Sequence, residues 1–390
     1  MEFTDTDVWL DAFDRMVDRI GTHLGRAELR ENTAAYLRGL VASVDRKNSW
    51  QLAESAGYLT PHAFQRLLGR ASWLADSVRD ELRDYVVERF GDPNGILIVD
   101  ETGFLKKGDK SAGVARQYSG TAGRVENCQI GVFLAYRSDQ GAAFFDRRLY
   151  LPEPWADDAE RRKAAGIPDA VPFATKPELA RDMIRDALNA RTPCRWVVAD
   201  EVYGGDSKFR EFLESNELGY VVALPSNREF MLCGRLASVR AHAASLAKKD
   251  WSRLSCGKGT KGERLYDWAF VPFEAMPDSK FARGLLIRRS IADPAEQAFY
   301  MCHFRQGTTI EELVRVAGSR WSIETAFEQA KQEVGLADYE VRSWTGWYRH
   351  ITLSMFAYAF VEAVRAMESK PASASKNKRN SDEAPQKSTG

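Results

Sequence analysis

An α/β fold, with a helical N-terminal part and a β-rich segment interrupting its later half, is what this 390-residue sequence predicts. Three observations lead there. Residues 1–90 carry apolar side chains at helical spacing and no β-branched alternation. From Gly95 onward, short apolar runs alternate with helical stretches, the pattern of a sheet with crossover helices. Between Ser226 and residue 304 that alternation gives way to irregular, strand-like segments.

Within the helical part, WQLAESAGYLTPHAFQRLLGRASW (50–73) divides into helix, turn and helix. Gly57 marks the break, Thr60 is the expected N-cap, Pro61 suits the first helical position and Gly69 closes the second helix. The second helix of such a hairpin can enter the DNA major groove. Phe64, Leu67 and Leu68 would then face inward and His62, Gln65, Arg66 and Arg70 outward, with Gln65 and Arg66 as candidate DNA contacts.

GILIVD (95–100) reads as a strand ending in Asp100, and QIGVFLAY (129–136) and AAFFDRRLYL (142–151) as two more in a meander. PELARDMIRDALNA (177–190) is a helix with Pro177 in its first turn. RWVVAD (195–200) is a second apolar run ending in an acid, Asp200, and a helix near 206–216 leads to GYVVALP (219–225). RLYDWAFVPF and GLLIRRS are the strands expected of the irregular segment. Two helices close the fold, RWSIETAFEQAKQEVGL (320–336) and an apolar one within 348–366 that is too short to span a bilayer and contains Glu362. The tail has no apolar periodicity and predicts disorder. The expected divisions are thus a helical DNA-binding domain (1–90), an α/β core in two parts (91–225 and 305–368), a β-rich insertion (226–304) and a disordered tail (369–390).

Charge is informative only in its distribution, because 55 basic residues balance 55 acidic ones. Residues 102–150 hold eight basic against four acidic side chains and residues 226–290 thirteen against six, whereas residues 1–90 hold twelve against fifteen. A basic surface therefore belongs to the core and the insertion. Five cysteines without a C-x-x-C pair suggest neither a zinc ribbon nor a disulfide framework. The N-terminus lacks a basic segment followed by an apolar run, so no signal peptide is expected and the protein is placed in the cytoplasm.

Asp100 and Asp200 each end an apolar strand and each is followed by Glu. Acids at the carboxyl ends of neighbouring strands converge on the crevice where ligands bind, while strand alternation would turn Glu101 and Glu201 away. With a third carboxylate, Glu324, they would form an oxygen site for Mg²⁺. Two such ions about 3.5–4 Å apart stabilise both the attacking and the leaving oxygen of an in-line phosphoryl displacement. In the helix 320–336, Arg320, Glu324, Phe327 and Lys331 share one stripe, since about 3.6 residues make a turn. Two cations beside a metal-binding acid serve a polyanion lying across that face. Taken alone, Arg320 and Glu324 form an ordinary helical ion pair, and a lone strand-end Asp is a turn former.

The spacing Arg-x3-Glu-x6-Lys, behind two strand-end aspartates and a β-rich insertion, resembles the DDE-type insertion-sequence transposases. The likeness is to the branch with the signature Tyr-x2-Arg-x3-Glu-x6-Lys. It covers roughly residues 95–366, and DETGFLKKG, QYSGTAGRVENCQIGVFLAY, DEVYG and GWYRHITL share it. Ala317 departs from the pattern by standing where the signature has Tyr. The resemblance implies a ribonuclease-H-like catalytic core, with Asp100, Asp200 and Glu324 as the catalytic and metal-binding triad, holding two Mg²⁺ ions for which Mn²⁺ can substitute. It implies that Arg320 and Lys331 hold DNA phosphates near the cut. The expected function is binding of an element's terminal inverted repeats, followed by metal-dependent strand cleavage and strand transfer by a homodimer on double-stranded DNA in a bacterial nucleoid, with no membrane partner.

Lys106 and Lys107, in the loop after Asp100, are further candidate DNA-backbone contacts. Trp251 and Trp268 are candidates to stack an extruded base, and Cys302 and His303 read as structural. Two rival functions bear on the same residues. A domesticated DNA-binding protein that no longer cuts would suit Ala317 but not an intact triad. A glycosidase with paired acids gives no reason for Arg320 and Lys331 beside Glu324.

Overall fold

The computed structural model describes residues 5–232, 235–259, 262–274 and 279–368; the tail expected to be disordered lies outside the described residues. Five helices open the chain: α1 (Asp5–Gly21), α2 (Ala27–Val41), α3 (Ser49–Ser55), α4 (His62–Gly69) and α5 (Ala75–Phe90). Asn48 caps α3 by accepting from the Trp50 and Gln51 amides at 3.0 Å each. Gly57 has φ +78°, a left-handed conformation that breaks the chain between α3 and α4 where the sequence predicted. Thr60, however, does not cap α4. The proline itself takes the N-cap position, since its ring fixes φ at −76° and it has no amide to bond, and no side chain caps the helix. Gly69 is the last helical residue and Arg70, not glycine, ends the helix. Phe64, Leu67 and Leu68 are buried as their spacing requires.

The strands follow: β1 (Ile96–Leu105), β2 (Ala115–Ser119), β3 (Arg124–Ser138) and β4 (Gly141–Tyr150). After the short helices α6 (Glu153–Ala156) and α7 (Ala159–Ala165) comes α8 (Lys176–Asn189), opened by a reciprocal capping box between Thr175 and Glu178 with Pro177 in its first turn. β5 (Trp196–Ala199), α9 (Glu201–Gly204), α10 (Ser207–Ser215) and β6 (Gly219–Leu224) complete the α/β part. A two-stranded hairpin, β7 (Glu229–Leu232) and β8 (Arg235–Ser238), precedes α11 (Val239–Ala244). Four long strands come next, β9 (Ser252–Gly259), β10 (Gly262–Pro272), β11 (Phe281–Arg289) and β12 (Gln297–Arg305). The chain ends in α12 (Ile310–Gly318), α13 (Trp321–Glu333) and α14 (Trp344–Glu368).

These strands make one ten-stranded sheet in the order β2-β3-β1-β5-β6-β12-β11-β10-β9, with β4 also paired to β3. β1, β5 and β6 run parallel, and the remaining pairs are antiparallel. The β-rich segment is thus no separate sheet beyond its small β7–β8 hairpin: β12 pairs with β6, so its four long strands widen the central sheet.

α13 and α14 lie against this sheet. Phe327 of α13 meets Phe133 and Phe144 at 5.2 and 4.9 Å between ring centroids, and so anchors its helix to β3 and β4. α14 is buried along most of its length and touches the N-terminal helices as well as β4, which makes one continuous core of the whole chain. Polar ties reinforce this joint. Arg349 of α14 donates to the carbonyls of Leu67 and Leu68 in the last turn of α4 and of Ala71 and Trp73 just beyond it. Asp146 on β4, 1% exposed, is shared by Arg79 of α5, Arg147 and Arg148. Among the described residues no helix is long and apolar enough to cross a membrane.

Candidate active site

Parallel pairing of β1 with β5 sets Val99 opposite Ala199, and so brings the next residues, Asp100 and Asp200, side by side. The two acids sit differently. β5 stops at Ala199, and Asp200 caps the short helix α9, its carboxylate accepting from the Val202 amide at 2.9 Å. Gly204 lets α9 lie this close, because a side chain there would collide with the Ala223 carbonyl at 2.0 Å. Asp100 does not end its strand, as the sequence suggested, but lies in the middle of β1, which continues to Leu105. Its carboxylate folds along its own strand and accepts from the Glu101 amide at 2.8 Å.

Strand alternation predicts that Glu101 points away, and the structure overturns this. One oxygen each from Asp100, Glu101 and Asp200 lie within 4.8 Å of one another. The physical reason is that Asp200 already lies beyond the end of its strand, so a neighbour on either face of β1 can reach it. Glu101 is further fixed by Lys176 at the start of α8, at 2.6 Å, and by the Tyr203 hydroxyl of α9, at 2.5 Å. The adjacency of Asp100 and Glu101 was visible in the sequence; the partners that hold Glu101, dozens of residues away, were not.

Electrostatics follow from this crowding. Burial, and then the charges of Asp200 and Glu101, push the Asp100 carboxyl up to about 8. Burial, and then Glu101, push Asp200 up to about 6. Arg320 opposes both shifts. Such a cluster of hard oxygen donors, short of positive charge, fits a divalent cation.

Glu324 stands outside this closest group. It projects from the first turn of α13 and pairs with Arg320 at 2.6 Å, while the same guanidinium lies 3.6 Å from Asp100. The expected triad is therefore gathered around one arginine, with Asp100 and Asp200 adjacent and Glu324, about half exposed, across the guanidinium. Arg320 itself precedes the helix, which starts at Trp321 and ends at Glu333. Lys331 lies three turns along the same stripe. Its ammonium donates to Thr102 Oγ1 at 2.8 Å, Thr121 Oγ1 at 2.9 Å and the Gly103 carbonyl at 3.3 Å, all uncharged acceptors. Burial without a carboxylate brings it down to about 8.

The other candidates divide. Lys107, Gln65 and Arg66 are exposed, Arg66 pairing with Glu28 at 3.1 Å. Lys106 is turned inward, its ammonium 3.5 Å from the centre of the Tyr339 ring, and burial brings it down to about 8. As placed, it supports the core behind the acids and faces no open backbone-binding surface. Trp268 is wholly buried and offers no face to a base, whereas Trp251 is partly buried with one face covered by the Arg289 guanidinium at 3.9 Å. His303 stacks on Phe281 and donates from Nδ1 to the Leu218 carbonyl at 2.9 Å, and Cys302 is buried beside it, both structural as expected. Ala317 is buried within α12. A separate cavity of about 660 Å³, lined by Trp73, Arg148, Trp344 and Arg349 among others, contains none of the acids.

Comparison with known proteins places the chain in a family. The family of DDE superfamily endonucleases matches residues 19–263, a span that contains Asp100 and Asp200 and stops short of Glu324. A probable transposase for insertion sequence element IS701 from Microchaete diplosiphon is 24% identical over 314 residues, covering 78% of this chain and 74% of its own length.

Proposed function

Because this chain belongs to the DDE superfamily endonucleases, we propose that it is an insertion-sequence transposase that binds its element's terminal inverted repeats, cuts there and joins the freed ends to target DNA. The observation that carries this reading is the pairing of Asp100 with Asp200 across the parallel strands β1 and β5, inside the span the family covers. Asp100, Asp200 and Glu324 are the catalytic carboxylates in this reading. They would hold two Mg²⁺ ions, or Mn²⁺ in their place, which would supply charge stabilisation to both oxygens of the phosphoryl displacement.

The remaining work belongs to the side chains. The backbone amides of Glu101 and Val202 aim the two aspartates, and Lys176 with Tyr203 keeps Glu101 from swinging out of the cluster. Arg320 and Lys331 hold the phosphates that flank the scissile bond, Arg320 through its planar fork and Lys331 as a point charge. Lys107 extends this contact, and Gln65 and Arg66 on α4 meet the repeat sequence in the major groove. Water attacks phosphorus in line, and the 3′-oxygen leaves as a hydroxyl while the phosphate stays on the 5′ end; that hydroxyl then attacks a target phosphate, its proton passing to the target strand's own 3′-oxygen as the bond from that oxygen to phosphorus breaks, with no bond between protein and DNA at any stage. Two copies pair the two ends in a synaptic complex at the bacterial nucleoid.

The alternative, a DNA-binding protein that has lost cleavage, rests on Ala317, and the close-packed acids oppose it. A nicking assay decides between them. Duplex DNA carrying the sequences that border the gene should be cut with Mg²⁺ or Mn²⁺ and left whole in EDTA; intact DNA with both metals, alongside retained binding, would leave the alternative standing.

A further inference from the structure

The sheet face that carries Asp100 and Asp200 continues well past them. Register sets Val222 beside Ala199, so Ala223 continues the row of Asp100 and Asp200, and Tyr300 of β12 pairs with Ala223. Tyr300 in turn pairs with Leu286 of β11, two residues from Arg288, and Arg288 pairs with Trp268 of β10, two residues from Tyr266. Residues in register share a face and every second residue along a strand returns to it, so Asp100, Tyr300, Arg288 and Tyr266 all lie on the face that α13 covers.

On that face stands a platform. Trp321, next to Arg320, stacks on Tyr266 with ring planes 6° apart. The Arg288 guanidinium lies over both rings, 4.6 Å from Tyr266 and 5.2 Å from Trp321, and that of Arg264 lies 5.0 Å from Trp321. Stacking fixes a guanidinium in position while leaving its N–H groups free to donate. Among the described residues neither arginine has a carboxylate partner or a side-chain hydrogen bond. Tyr300 is 6% exposed, and its hydroxyl likewise has no hydrogen-bond partner among the described residues, although Arg288 and Arg320 both act on it. That hydroxyl is not sealed from solvent, so an arriving acceptor can reach it. Fixed cationic donors with no anion, arranged on the route out of an acid cluster, call for an anion that the protein does not contain.

We propose that Tyr300 and Arg288 form a phosphate-holding subsite for the DNA strand, two and three strands beyond β5 on the same sheet face as the acids, with Arg264 continuing the track on β10. The inference rests on the reading of the protein as a DNA-cleaving enzyme. The basic surplus of the β-rich segment then steers the strand as it leaves the cut.

Fluorescence anisotropy of the full-length protein with a short labelled duplex, through a salt series and with Ca²⁺ in place of Mg²⁺ to keep strands uncut, tests it. Arg288→Gln should reduce the slope of log K against log salt by about 1, and Arg288→Lys should restore it. Tyr300→Phe, which keeps the ring and removes one donor, should leave the slope alone and weaken binding about fivefold. Arg185→Gln, on the exposed face of α8 and paired with Asp182, is the control and should change neither. Wild-type slope and affinity in both Arg288→Gln and Tyr300→Phe would overturn the subsite while leaving the DNA reading intact. No binding by the wild-type protein would overturn that reading itself. Should Arg288→Gln lower the melting temperature, the Tyr300→Phe affinity decides alone.

Discussion

At the scale of single residues, the third acid is the sharpest question. Asp100→Asn or Asp200→Asn should lower the rate of strand cleavage by at least about 10²–10³-fold, with duplex binding unchanged in a gel shift. Glu324→Gln should match that loss, whereas Glu101→Gln should cost only about 10–100-fold if Glu101 positions its neighbours. The reverse order would make Glu101 the third catalytic carboxylate. The aspartates also give a pH signature. Asp100 and Asp200 stand at about 8 and about 6, above the usual carboxylate value. A group raised in the folded state contributes its stability below the unfolded value and loses it as pH rises through the folded one. Without metal, the wild-type protein should therefore lose melting temperature relative to Asp100→Asn between about pH 4 and pH 8. Taking the difference between the two proteins removes buried His350, whose lowered value works in the opposite direction. Mg²⁺ should abolish the trend; a flat difference without metal would contradict the crowding. Sequence brought out Asp100 and Asp200 because each follows an apolar run, and missed Glu101 because alternation holds only while both strands last.

At the scale of elements, the joint between α5, β4 and α14 is electrostatic as well as apolar. Burial pushes the Asp146 carboxyl up, but Arg148, Arg79 and Arg147 outweigh it and hold the group below its usual range. Asp146→Asn should cost about 3–5 kcal/mol in urea unfolding, because it leaves buried guanidiniums without their counter-charge. A loss below about 1 kcal/mol would mean that the arginines find other acceptors. No local pattern announces this joint, since Asp146 looks like any polar residue in a strand. The hairpin α3–α4, by contrast, was legible from Gly57 and the apolar triplet alone; only its cap was misread, because a proline can itself occupy the position that threonine usually takes. Arg66→Ala should weaken binding to the terminal repeat several-fold more than to unrelated duplex, measured by competition. Equal losses would make α4 a backbone contact only.

At the scale of the whole molecule, the ten-stranded sheet joins parts that composition separates. Apolar runs identified most strands, yet nothing local specifies that β12 pairs with β6 across some seventy intervening residues; that is a property of the assembled edge. Excising residues 226–304 would expose β6 as a bare edge and remove most of β12. The shortened protein should aggregate on expression, judged by soluble yield and by size-exclusion chromatography. A monodisperse product with native helix and strand content by circular dichroism would show that the remaining α/β part is self-sufficient.

Arg320 touches Asp100 and Glu324 together. On the proposed reading it occupies, as an internal counter-ion, ground that a divalent cation would take, and an anionic ligand would draw it off. Nucleic acid and metal would then load reciprocally, each raising the other's affinity by the same factor, as thermodynamic linkage requires. On that reading the enzyme would stay idle until nucleic acid and metal arrive together. Its magnesium dissociation constant, titrated with and without an oligonucleotide, should differ by the same ratio as the oligonucleotide's own constant with and without the ion.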